Sequence, residues 1–263
     1  MKRLVIYILI SIPLAISCQQ KYNTPPYDQE EVSLRAQNVN DTSLIISKDW
    51  EKRDSLSYLR FKDAKKITFF QTDSIPMWVI KFSKAKSLVS YSCEHIYIND
   101  NIGDLSSLEV IAMYDTEIDD FPVSIKKLIG LKDLSLKGNK SNTIPEWIKE
   151  LSNIETLLLN DFDGIPSGIF ELKNLKVLWL VNCNITELPS SISQLKQLEV
   201  LHIHANPIES LPEEIFELQN LRDIYYDKER FKDEQFKERL DEMVRRNGQK
   251  YREQKFEQMK AKN

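Results

Sequence analysis

Three cysteines and three histidines are the residues through which this chain could do redox, nucleophilic or metal chemistry. His202 and His204 stand two apart, a spacing that places both imidazoles on one face of a β-strand. Asp223 and Asp227 follow at positions that could bring carboxylates beside them, and two imidazoles with two carboxylates are a metal-ligand set. Two histidines so spaced on an open strand are more commonly polar surface, and we read no metal site. His95 has no evident nucleophile partner. No strained nucleophile turn, HExxH or CxxC occurs, and six glycines leave no phosphate-cradling loop. The sequence therefore implies no cofactor and no enzyme.

The elements that must position these residues come from a repeat. LKVLWLVNCNITELPSSISQL, beginning at Leu175, returns 23 residues later as LEVLHIHANPIESLPEEIFEL, beginning at Leu198. A fixed period of this size means stacked supersecondary units. The template LxxLxLxxNxLxxLPxxIxxL accounts for seven units, starting at Ala64, Ala85, Leu108, Leu131, Ile154, Leu175 and Leu198, with Pro in place in six. Units one and five are two residues short, and Ser90 replaces a framework leucine in unit two. A last strand carries Leu221, Ile224 and Tyr226. LxxLxL sends alternate side chains inward from a short strand. Pro then fixes a turn, and IxxL packs a helical turn on the outer face.

These residues resemble the leucine-rich repeat family, in its 23-residue LPxxIxxL type. The resemblance implies an α/β solenoid: a curved parallel sheet on the concave face, short helical turns on the convex face, and a cap at each end. It also implies that the eighth residue after each unit start faces inward and hydrogen-bonds neighbouring backbone. Asn139 and Asn206 hold that place in units four and seven, Thr72 and Thr116 in units one and three, and Cys93 and Cys183 in units two and six. The two cysteines are then four strands apart, roughly 19 Å, against a limit near 7 Å for a disulfide. They are expected to be buried, unpaired thiols.

With that register, one outward column of the concave face reads Thr68, Val89, Ala112, Ser135, Leu158, Trp179, His202, Tyr225. The column two residues on contains Phe70, Tyr91, Tyr114 and, in unit seven, His204. Trp179, His202 and Tyr225 should lie side by side, and Phe70, Tyr91 and Tyr114 should form a second ladder. Large aromatics exposed on a concave sheet mark a binding surface. Leu158, Trp179, His202, His204, Tyr225, Phe70, Tyr91 and Tyr114 are the candidate ligand-binding residues.

The chain ends supply an address. Met1-Lys2-Arg3 is a basic start, and Leu4 to Ile16 is apolar except for Ser11 and Pro13, too short to span a bilayer and suited to a signal peptide. Leu14-Ala15-Ile16-Ser17-Cys18 resembles a bacterial lipobox, although Ala15 stands where leucine is usual and Ile16 where alanine or serine is usual. The resemblance implies cleavage after Ser17 and diacylation of Cys18. Gln19 is not the aspartate associated with inner-membrane retention, which favours the outer membrane. The expected organisation is a signal peptide over 1–17, lipidated Cys18 and a tether to 40, an N-terminal cap over 41–63, repeats over 64–226, and a helical cap with a charged tail over 227–263. Within that cap, Phe236, Leu240 and Met243 predict a helix to about Arg246, a break at Asn247-Gly248, and a second charged helix.

Formal net charge is −4, although residues 228–263 carry twelve Lys/Arg against eight Asp/Glu. The repeats are thus acidic, which argues against nucleic acid as partner, and the basic tail reads as a solvated helix face. The function this supports is a membrane-anchored binding module that recognises a protein, peptide or glycan on its concave face. The alternatives are a substrate-capturing subunit of an envelope enzyme system and a structural envelope lipoprotein.

Overall fold

The computed structural model describes residues 43–47, 61–118, 120, 122–138 and 143–260. The expected signal peptide, Cys18, the tether, most of the N-terminal cap and Asn139 lie outside them.

Eleven described strands form a parallel sheet. They are β1 (Ser43–Ser47), β2 (Lys66–Phe70), β3 (Ser74–Ile75), β4 (Ser87–Tyr91), β5 (His95–Ile98), β6 (Val110–Ile118), β7 (Asp133–Lys137), β8 (Thr156–Asn160), β9 (Val177–Val181), β10 (Val200–His202) and β11 (Asp223–Tyr225). The main path runs β1-β2-β4-β6-β7-β8-β9-β10-β11, while β3 and β5 pair with each other and β5 with β6. β1 falls in the segment expected to be an N-terminal cap; it pairs in parallel with β2 and buries Leu44 and Ile46. The first repeat therefore does not present its apolar edge to water.

The register follows the repeat. Leu178 pairs with Leu201, 23 positions on, and Leu157 with Leu178, 21 positions on, because unit five is short. Leu134, Leu157, Leu178 and Leu201 are fully buried and stack behind the sheet. Each contributes roughly 1.5–3 kcal/mol, and only when its neighbours are in place. The six repeat prolines cap five-residue 3₁₀ turns, with φ between −65° and −77° and an extended ψ. Asn99 does the same in unit two, its side chain accepting the Asn101 N–H.

At the strand ends the chain reverses through left-handed residues one place before the inward position: Gln71, Ser92, Asp161, Asn182 and Ala205, with φ of 52–61°. The inward position then satisfies the turn. The Asn206 amide oxygen accepts the Cys183 and Ile185 N–H groups, and its NH₂ donates to the carbonyls of Leu180, Ile203 and His204. In unit five the place belongs to Phe162, where the other units hold Asn, Thr or Cys. It is buried, and the space its ring occupies explains Gly138, where a Cβ would lie 2.8 Å from that ring. Ser90, buried in place of a leucine, donates to Met113 Sδ and lies 3.0 Å from Thr116 Oγ1, so no polar group is stranded there.

At the C-terminus the expected break does not occur. One helix, α1, runs Glu234–Lys260, capped by Asp233 accepting the Phe236 N–H. Asn247 is buried in the middle of it and donates to the carbonyls of Leu218 and Leu221. An Asn-Gly pair inside a helix costs on the order of 1 kcal/mol, but here the Asn side chain satisfies carbonyls at the open end of the last complete repeat. Phe236, Leu240 and Met243 are buried on the same docking face, as their spacing predicts.

Candidate functional site

Strand pairing places the first concave column as expected. Thr68, Val89, Ala112, Ser135, Leu158, Trp179, His202 and Tyr225 are successive cross-strand partners. At the C-terminal end, the Trp179 and His202 rings stack at 4.6 Å with planes 15° apart. Tyr225 lies 5.8 Å from His202 and 4.4 Å, edge to face, from His204. Trp179, His202, His204 and Tyr225 thus form one continuous aromatic cluster.

Exposure inside the cluster differs from the sequence expectation. Trp179 and His202 are each only 8% exposed, whereas Tyr225 is 55% exposed. Adjacent strands lie about 4.8 Å apart, close to the 4.6 Å between the Trp179 and His202 ring centroids, so each ring shields its neighbour. Tyr225 stands on the last strand and has no ring beyond it. Leu158 is half-buried between Ser135 and Trp179.

Polar atoms in the cluster are incompletely satisfied. Trp179 Nε1, His202 Nε2, His204 Nδ1 and, on β8, Asn160 Oδ1 are all buried without a hydrogen-bond partner. His202 Nε2 lies 3.6 Å from Asp223 Oδ2, which is an ion pair only when the imidazole is protonated. Burial holds His204 below the usual histidine pKa; the neighbouring His202 adds to this and the Asp227 carboxylate opposes it. Asp227 is itself held in place, accepting the Ala205 N–H at 2.9 Å with Arg230 Nε at 3.9 Å. A cleft of about 240 Å³ at the strand ends is lined by Phe162, Asp163, Asn182, Asn184, Ala205 and Pro207.

The N-terminal ladder also forms. Phe70 pairs with Tyr91 and Tyr91 with Tyr114, whose rings stack at 5.3 Å. Phe70 is buried at 8% exposure, contrary to the expected open ring, and Tyr91 is the exposed member. Burial, then Tyr91 and Asp133, raise the Tyr114 pKa. The two ladders are separate, with Ala112, Ser135 and Leu158 between them in the first column.

The residues that could do covalent or metal chemistry do not assemble for it. Among the described residues, no three of His, Cys, Asp and Glu come close enough to hold a metal ion. Cys93 and Cys183 are free and buried, and burial pushes the Cys183 thiol up to about 11. His95 sits on β5 with Nδ1 3.9 Å from Glu117.

Sheet, 3₁₀ turns and repeat register define a leucine-rich repeat solenoid. Residues 167–244 match the leucine-rich repeat region family. The fold is shared with a leucine-rich repeat protein of Leptospira interrogans at a TM-score of 0.61 and 22% identity, covering 76% of this chain and 51% of that one. An internalin of Listeria monocytogenes matches at 0.58 and 18%, covering 76% and 59%. A plant peptide hormone receptor, solved in complex with RGF2, matches at 0.54 and 21%, covering 71% and 32%. In sequence, 83 residues are 32% identical to a putative disease resistance protein of Arabidopsis thaliana, 32% of this chain and 6% of that protein. The chain thus spans about half of the Leptospira protein's solved length and a small part of the Arabidopsis one.

Proposed function

We propose that this chain is a recognition module that holds a protein or peptide partner against the C-terminal half of its concave face, and that a lipid on Cys18 tethers it to a bacterial envelope, at the outer membrane. The observation that carries the binding reading is the Trp179–His202–His204–Tyr225 cluster. It combines an aromatic surface open at Tyr225 with two buried atoms, Trp179 Nε1 and His204 Nδ1, that make no hydrogen bond within the chain, while His202 Nε2 has only Asp223 Oδ2 at 3.6 Å. A buried polar group left unpaired costs about 1–3 kcal/mol, and a partner that supplies the missing hydrogen bond recovers that energy on binding. The plant peptide hormone receptor shares the fold and was solved with a partner bound, which supports a binding role without identifying the ligand. The lipid tether rests on the Leu14-to-Cys18 motif alone. No described helix is long and apolar enough to cross a membrane.

The test compares proteins and peptides retained from envelope extracts by the wild-type chain, by Tyr225→Ala, and by Lys196→Ala, an exposed residue in the turn after the Ser190–Gln194 3₁₀ segment and outside the aromatic cluster. Species retained by wild type and Lys196→Ala but lost with Tyr225→Ala support the reading. Retention that is the same for all three chains rejects it.

A further inference from the structure

We propose that the partner presents a basic side chain, arginine in preference to lysine, to Tyr225 between Asp223 and Asp227. This rests on the concave-face reading and adds the chemistry of what is bound.

Asp223, Tyr225 and Asp227 stand at alternate positions, so Asp223 and Tyr225 share the outward side of β11 and Asp227 follows where that strand ends. Tyr225 is the most exposed ring of the cluster, and its edge-to-face contact with His204 fixes its orientation. Asp223 has a side chain 58% exposed, and its neighbour at 3.6 Å is a histidine rather than a lysine or arginine. On the other side, the Ala205 N–H orients Asp227, and Arg230 Nε reaches only to 3.9 Å. An aromatic face between two carboxylates attracts a cation through both the ring quadrupole and the charges. A guanidinium fits better than an ammonium because it is planar, stacks on a ring and bonds a carboxylate with two N–H groups.

The second observation comes from the adjoining strands. Trp179 and His202 are each 8% exposed; Trp179 Nε1 makes no hydrogen bond within the chain, and His202 Nε2 has only the Asp223 carboxylate at 3.6 Å. An indole N–H can only donate, so the group it lacks is an acceptor such as a peptide carbonyl. An extended peptide supplies both parts: a basic side chain over Tyr225 and backbone carbonyls directed at the Trp179–His202 pair. The acidic balance of the repeats favours the approach of such a peptide.

The probe is a displayed random-peptide library panned against the immobilised folded chain. Arginine, and less strongly lysine, should be enriched over the input by about fivefold or more. Replacing the arginine of an enriched peptide with alanine should weaken binding about tenfold, and with lysine severalfold. Asp223→Asn and Tyr225→Ala, checked for folding by circular dichroism, should each weaken it about tenfold. Added salt should weaken binding as well. Absence of basic enrichment, or binding indifferent to Asp223→Asn, overturns the inference. If such peptides still require Tyr225, the concave face remains the binding surface and only the basic side chain is refuted. If they require neither residue, both readings fall.

Discussion

Trp179 lies flat on His202, ring centroids 4.6 Å apart, because the two are direct partners in the parallel register of β9 and β10. Twenty-three residues of chain separate them, yet each forms the wall of the other's environment. The pair is at once part of the sheet's packing and the floor of the proposed site.

Trp179→Ala should therefore cost more than about 1 kcal/mol, because it uncovers His202 and opens space between Leu158 and the histidine. Leu178→Ala, which leaves a cavity behind the sheet, should cost more, about 2–5 kcal/mol. Urea midpoints rank the two. A Trp179→Ala midpoint equal to wild type would show that the indole contributes nothing to packing.

Asn206→Ala removes two accepted and three donated hydrogen bonds at one buried turn. The expected loss is about 2–4 kcal/mol. Asn206→Asp should fare no better, since a carboxylate would face three carbonyls. Thermal melts of both variants check this, and a melt within a degree or two of wild type would rule out the turn as a stabilising element.

The thiols of Cys93 and Cys183 should react with a soluble thiol reagent at about pH 8 only after denaturation. Both are buried, and Cys183 titrates near 11, well above its ordinary value. Rapid labelling of the native protein would contradict this burial.

His204 has a folded-state pKa below its unfolded value, because burial disfavours the cation. Above the unfolded pKa of about 6.5 both states are neutral and the residue contributes no pH dependence. As pH falls through that value the unfolded chain binds the proton first, so stability declines towards the folded pKa. Urea midpoints between about pH 8 and pH 5 should fall, and His204→Gln should flatten part of that fall. An identical pH profile in the variant would show that His204 is not the group responsible.

Cys18→Ala bears on the proposed address. The wild-type chain, expressed with its leader in a bacterium, should partition into a detergent phase, and the variant should be released or left unprocessed. Equal partitioning of the two would remove the lipid from the account.

The cluster's membership was legible in the sequence, and its exposure was not. Register follows from the repeat: once the leucines of units six and seven are aligned, Trp179, His202 and Tyr225 must be neighbours, and pairing confirms it. Whether a ring in that column is open depends on the size of what stands one strand away on either side. Trp179 and Phe70 were expected to face solvent and are covered. Phe162 was legible in principle, since it stands eight residues after Ile154 like Cys183 after Leu175. The departure from Asn, Thr or Cys hid it, and Gly138 beneath it was the available signal.

The sequence alone determined the solenoid, the inward leucines, the proline-capped turns and the unpaired state of Cys93 and Cys183. Those properties depend on spacing along the chain, and the repeat states that spacing seven times. Tertiary structure decided the rest: the cover over Trp179, the orphaned nitrogens of the cluster, and the continuity of α1 through Asn247 and Gly248. Each of these depends on groups brought near by stacking. Asn247 continues a helix rather than ending one because the carbonyls of Leu218 and Leu221 lie within reach of its amide.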